Sequence, residues 1–273
     1  SVTVEQARRI SEAAGVDVIA ALSALERNNG DALAAMLELE RQFEAVMRQT
    51  EQESAGQVRI GIAQRRAIWF LPAVLSVYER EWPQVDVVIR EGNLADLTIM
   101  LKNRELDLVV LSQSDVTSKM ETVPLGMEDF LLMVSGDHPL NEKAVPVEGS
   151  KLDFLDPHLL SGETIFLNTE MQSARRVEEK ILKDYKVKPG RIRVVRNMEL
   201  GAQLVAEGLG VGFIRQGYQK NIHYPKPVKY YTIDSSKYGQ NVVVAYRQDV
   251  ELTKPMRAMI MQMKDAAEEY LEF

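Results

Sequence analysis

Between Gln57 and Ser114 the chain alternates short β-branched runs with longer amphipathic ones, in the order strand, helix, strand, helix, strand. That order restricts it to a parallel sheet with crossover helices, whose strand ends open onto a ligand crevice. Val58, Ile60 and Ile62 form the first strand, and Gln64, Arg65 and Arg66 follow where the next helix begins. The first N–H groups of a helix have no internal partner and the helix dipole adds positive potential there, so this turn is a natural anion site. Ser112 and Gln113 end the third strand on the same side.

Composition narrows the chemistry. The 273 residues are 45% hydrophobic and 27% charged, enough for a soluble globular chain of two or three domains. The absence of cysteine excludes disulfides, thiolate metal sites and cysteine nucleophiles. No apolar run approaches the ~18 residues of a membrane span, and the first residues lack the basic-then-apolar order of a secretion signal, which predicts a cytoplasmic protein. A net charge of -7 argues against broad attraction to nucleic acid or anionic membranes.

The first fifty residues predict three helices. Val4, Ala7 and Ile10 form one apolar stripe before Gly15, Val18, Ala21, Leu22 and Leu25 a second, and Leu33, Met36, Leu37 and Leu39 a third that continues toward Gln52. Gly30 suits a left-handed cap and Asp31 an N-cap. Farther on, strands are expected at 164–167, 191–196, 211–214 and 241–246, helices at 172–185 and 198–207, and a closing helix from Pro255 with Met256, Met259, Ile260, Met263, Ala267 and Leu271 inward. The run Gly208, Gly210, Gly212 follows a helix and enters a strand, the reverse of a dinucleotide fingerprint, and reads as tight turn geometry.

The segments VRIGIA, FLPAVLSVYEREWPQVDVVI, EGN and LKNRELDLVVLSQ, followed by VPLGMEDFLLMVSGDHPL and LVAEGLGVGFI, together resemble the effector-binding domain of LysR-type transcriptional regulators from about Gln57 to Phe273. The resemblance implies an α/β, two-lobed, periplasmic-binding-protein-like (type 2) fold. Lobe one would comprise 57–125 plus 240–273 and lobe two 126–239, with crossovers near Leu125 and Gly239. It also implies a homodimer in which the helix from Ile68 to Arg80 packs on the partner's helix from Met198 to Glu207. By the same resemblance Ser112 matches a pocket hydroxyl, whereas Gln64, Arg65 and Arg66 stand where the family commonly offers Ser or Thr. That departure suggests a more acidic or multiply charged ligand.

Across the cleft, Thr169, Gln172 and Ser173 open a helix and could grip the far end of a ligand; Asn197 and Arg215 sit at strand ends, Arg215 with the alternative of a surface ion pair. Asn93 reads as a helix cap. The expectation is a polar gap between lobes, lined partly by guanidinium groups, that takes a small anionic effector and no cofactor or metal. Catalysis finds little support: His138, His158 and His223 share no helical face, and no G-x-S-x-G elbow occurs.

Residues 1–50 do not match the winged helix-turn-helix of LysR-type regulators. Five arginines face eight acids there, a net -3 that repels phosphate. The stretch AAGVDVIAALSALERNNGDALAAMLEL instead resembles a UBA-like three-helix domain. On that resemblance a protein partner would meet Ala14, Gly15, Val16, Leu37 and Leu39. Two readings follow: a transcriptional regulator that contacts DNA through its altered N-terminus or a partner chain, or a ligand-dependent protein-binding module without DNA contact.

Overall fold

The computed structural model describes residues 2–54 and 56–271. Contacts divide the chain into two compact units, Ser1–Gly56 and Gln57–Phe273. The first holds three helices, α1 (Val4–Ala14), α2 (Val18–Arg27) and α3 (Ala32–Ser54). Their boundaries follow local chemistry. Thr3 and Gln6 form a capping box before α1, and Gly15 closes it in the left-handed region at φ 67°. Gly30 also has a positive φ, and Asp31 accepts from the Ala34 N–H at 3.0 Å, starting α3.

The apolar stripes of this unit divide differently from expectation. Its core is Ala7, Ile10, Ala21, Ala24, Leu25, Ala35 and Leu39, while Val4, Val18, Leu33, Met36 and Leu37 are exposed. The three helices approach closely where alanines face one another, leaving room inside for Ile10, Leu25 and Leu39 and several bulky side chains outside. Leu39, expected on a partner surface, is therefore core, and Leu37 remains accessible.

The second unit begins with β1 (Gln57–Ile62), α4 (Gln64–Glu81), β2 (Asp86–Glu91), α5 (Leu94–Lys102) and β3 (Leu108–Ser112). Then come β4 (Met120–Glu128), β5 (Phe130–Ser135), β6 (Thr164–Asn168), α6 (Ser173–Asp184), β7 (Arg191–Val195), α7 (Met198–Ala206), β8 (Gly212–Arg215), α8 (Gln216–Gln219), β9 (Val228–Tyr231), α9 (Ser235–Tyr238), β10 (Gln240–Arg247) and α10 (Lys254–Tyr270). A five-stranded sheet runs in the order β2-β1-β3-β10-β4. Strands β1, β2 and β3 are parallel and β10 is antiparallel to both of its neighbours. A second set pairs β8-β5-β9 and β6-β7, joined by a parallel bridge between Ile165 and Val211.

Each set of strands has its own core. One is built from Val58, Ile60, Ile62, Phe70, Val74, Val242, Val244 and the inner face of α10, including Met256, Met259, Ile260 and Met263. The other takes Phe130, Leu132, Ile165, Phe166, Val177, Ile181, Val205 and Ile214. Trp69 packs against both. The chain passes from one half to the other at Glu128–Phe130, where β4 ends and β5 begins. Gly210 is needed where β8 starts, because a Cβ there would lie 2.4 Å from the Thr164 carbonyl oxygen.

Strand β9 and the register of β4 with β10 lay beyond the sequence pattern. Tyr230 and Tyr231 alternate too briefly to separate from a loop, and Pro124 and Gly126 interrupt β4, whose pairing shifts between Val242 and Val243.

Candidate functional site

At the seam between the two halves of the second unit the structure brings together Arg65 with Asn197 and Arg215 with Ser173. Helix α4 starts at Gln64 without a side-chain cap on its first N–H groups, and α6 starts likewise after Gln172. Two uncapped helix N-termini thus sit on opposite sides of the seam. Asn197 caps α7, accepting from the Glu199 N–H at 2.9 Å. Gln64 and Gln113 are exposed, Thr169, Gln172, Ser173 and Asn197 are half-buried, and Ser112, Arg66 and Arg215 are buried.

Internal ion pairs and a hydrogen bond bridge the expected gap. Arg65 donates from Nε to Asn197 Oδ1 at 3.0 Å and pairs with Glu199. Its neighbour Arg66 turns inward to Glu128, with Nη2 to Oε1 at 2.7 Å. Arg215 approaches the same carboxylate oxygen at 3.4 Å and donates to Ser173 Oγ at 3.1 Å. Arg176 on α6 pairs with Asp115, just beyond β3. The four guanidinium groups are therefore already engaged by three carboxylates of this chain, with Glu128 shared between Arg66 and Arg215. Arg215 makes a buried ion pair, not a surface one, because β8 ends inside the seam. Cavities of about 110 Å³ beside Arg59, Arg104 and Arg247, and about 10 Å³ beside Phe166 and Met198, include none of the expected site residues.

The electrostatics follow from burial. Burial opposes the charge of Arg66, yet attraction by Glu128, with smaller help from Tyr218 and Tyr270, outweighs it and raises the pKa of Arg66. Tyr270 is driven well above its ordinary value, mainly by burial. Arg66 Nε, Glu128 Oε2, Tyr270 Oη and Trp69 Nε1 are buried without hydrogen-bond partners among the described residues. On the buried face of α6, Glu178 accepts from the backbone N–H and side-chain amide of Asn168, and burial pushes its carboxyl up to about 7. Glu128 went unremarked in the sequence, although it and Asp129 stand between Met127 and the FLLMV strand; Glu178, which with Glu179 reads from sequence as a solvated helix face, is instead buried because α6 turns it toward Asn168.

The family model of the LysR substrate binding domain matches residues 51–268. The chain belongs to that family. It is 25% identical over 182 residues to the HTH-type transcriptional regulator CbbR of Rhodospirillum rubrum, covering 67% of this chain and 55% of CbbR. The chain spans about half the length of the curated relatives it matches. The C-terminal domain of a probable LysR family transcriptional regulator from Rhodococcus sp. RHA1 superposes with a TM-score of 0.65 at 21% identity, over 76% of this chain and 98% of that one. The BenM effector binding domain with its effector benzoate gives 0.64 at 20% identity, over 80% and 95%. These likenesses establish the two-lobed type 2 periplasmic-binding-protein-like fold. Among the described residues no helix is long and apolar enough to cross a membrane, and no group of three or more His, Asp or Glu could hold a metal.

Proposed function

We propose that this LysR family chain senses a small effector carrying an anionic group, bound in the seam between its halves, and passes the change in their arrangement to transcription control. The carrying observation is the reach of Arg65 across that seam to Asn197 at 3.0 Å. Anything that inserts there alters the contacts of both halves, which is the differential affinity a two-state domain needs. BenM, whose domain shares this fold, takes the carboxylate benzoate. In this reading the work is binding, not catalysis, and the setting is the cytoplasm.

Arg65, Gln64, Asn197, Gln172 and Thr169 are the proposed contacts, with Ser112, Gln113 and Ser173 flanking them. Arg66 and Arg215 hold the hinge through Glu128. Ile68 on α4 and Leu200 on α7 are both exposed, which supports the homodimer through these helices. Native mass spectrometry of protein purified without added ligand tests the reading: a retained small molecule that Arg65→Ala abolishes supports it, and retention unaffected by Arg65→Ala rejects the site.

A second reading keeps ligand binding but replaces DNA with a protein partner. It is favoured by the exposed Leu33, Leu37 and Phe43 on α3 and by the acidic balance of the N-terminal unit. A DNA titration at rising salt separates the two, since phosphate contacts lose affinity steeply as salt increases.

A further inference from the structure

Every guanidinium at the seam already has a carboxylate: Arg65 has Glu199, Arg66 and Arg215 share Glu128, and Arg176 has Asp115. Of these, the Arg66 cluster is buried, with 5% and 1% of the Arg66 and Glu128 side chains exposed, whereas Arg65 and Glu199 keep 22% and 28%. A ligand therefore reaches Arg65 first. A purely anionic ligand taking Arg65 would strand the Glu199 carboxylate, half-buried, without its cation. Stripping a partner from such a charge costs much of what the new pair contributes.

The corner around Arg65 is also rich in acceptors. Asn197 Oδ1 and the Glu199 carboxylate converge on Arg65. Gln172 donates its amide N–H to the carbonyl of Arg196, the residue before Asn197, and its own Oε1 is buried without a partner. Arg65 thus faces two acceptor groups, and an unsatisfied third, Gln172 Oε1, belongs to a side chain bonded to the residue next to Asn197. An ammonium group supplies three N–H donors and a positive charge to that set.

We propose that the ligand class of this cleft is a zwitterion of the amino-acid type, its carboxylate taken by Arg65 and its ammonium by Glu199 with Asn197 and Gln172. Such a ligand exchanges one internal ion pair for two and leaves no carboxylate stranded. This assignment rests on the effector-sensing reading above and specifies it. Glu199 is then the specificity-determining residue, because it rejects simple anions.

The test is calorimetry on the full chain with the twenty protein amino acids, benzoate and inorganic phosphate, and, for each amino acid that binds, its des-amino carboxylate. The expected result is at least one amino acid that binds at least tenfold more tightly than its des-amino carboxylate. Glu199→Gln, which keeps shape but removes the charge, is expected to collapse or invert that ratio. A des-amino carboxylate that binds as tightly, or a ratio unchanged in Glu199→Gln, overturns the proposal. Binding of benzoate or phosphate with no amino acid overturns it too and leaves effector sensing standing. No binding by any of these also overturns it, while the retained-ligand measurement judges effector sensing separately.

Discussion

Arg65 and Arg66 are adjacent in sequence and begin the same helix, yet they belong to opposite electrostatic regimes. Arg66 points into the hinge, where Glu128 and Arg215 complete a buried cluster. Arg65 points along the mouth of the seam to a pair that solvent still reaches. A helical step of about 100° separates the two side chains, and that rotation leaves one arginine buried and the other within reach of solvent. Charge type at a helix start therefore does not by itself identify a ligand contact.

The largest break in this contrast is Glu128→Ala. It leaves two buried guanidiniums without a counter-charge, and removing one member of such a cluster costs about 3–5 kcal/mol. Urea denaturation is the measurement; a loss under about 1 kcal/mol would mean that the cluster is solvated, and the distinction between the two arginines would fail.

Next in size is the pH response of Glu178. Its folded carboxyl sits at about 7, raised from 4.5 chiefly by burial. Between those values the folded state keeps a proton that the unfolded chain has released. The stability this proton contributes is full below pH 4.5 and is lost as pH rises through 7. The shift corresponds to about 3 kcal/mol. Glu178→Gln cannot titrate, so its stability relative to the parent is expected to rise by that order between pH 4.5 and 8. Parallel stability curves would show that Glu178 is ionised throughout and belongs with the compensated charges.

Gly217→Ala probes the same hinge by volume. A Cβ at Gly217 would lie 2.6 Å from the ring of Tyr270, which itself packs on Phe70 with centroids 5.3 Å apart. Overpacking of this kind costs about 1–3 kcal/mol, read as a lowered Tm, and an unchanged Tm would show that the α8–α10 contact is loose.

Much of the fold was legible because the period of apolar residues changes at Gly56 and again at each glycine-bounded turn. β1, α4, β2, α5 and β3 follow that signal, as do Asn93 at the start of α5 and Pro255 at the start of α10. The site was legible only in outline. Arg65 and Asn197 meet, as do Arg215 and Ser173, because strand ends and helix starts converge there. What lies opposite each arginine was not legible, since Glu128 is 62 residues from Arg66 and Glu199 more than twice as far from Arg65. Long-range charge pairing leaves no local periodicity. In the N-terminal unit the stripes predicted the helices and part of the core, Ala7, Ile10, Ala21, Leu25 and Leu39, but missed Ala24 and Ala35, since alanine at a close approach carries no strong apolar signal.

The smallest effect separates the regimes most finely. Arg65→Ala removes a part-exposed pair, for which about 0–1 kcal/mol of stability is expected after solvent screening. Raising salt from low to about 0.5 M should weaken the Arg65 pair and leave the buried Arg66 cluster largely untouched, because a Debye length near 4 Å screens charges that water reaches and not those it does not. Fluorescence from labels placed on the two halves reads the seam directly. A salt-dependent opening that Arg65→Ala makes salt-independent would establish the mouth pair as a latch of low intrinsic strength, set to yield to a ligand. If the seam stays shut in Arg65→Ala at every salt concentration, closure belongs to Glu128 and the hinge alone, and Arg65 has no part in holding the halves together.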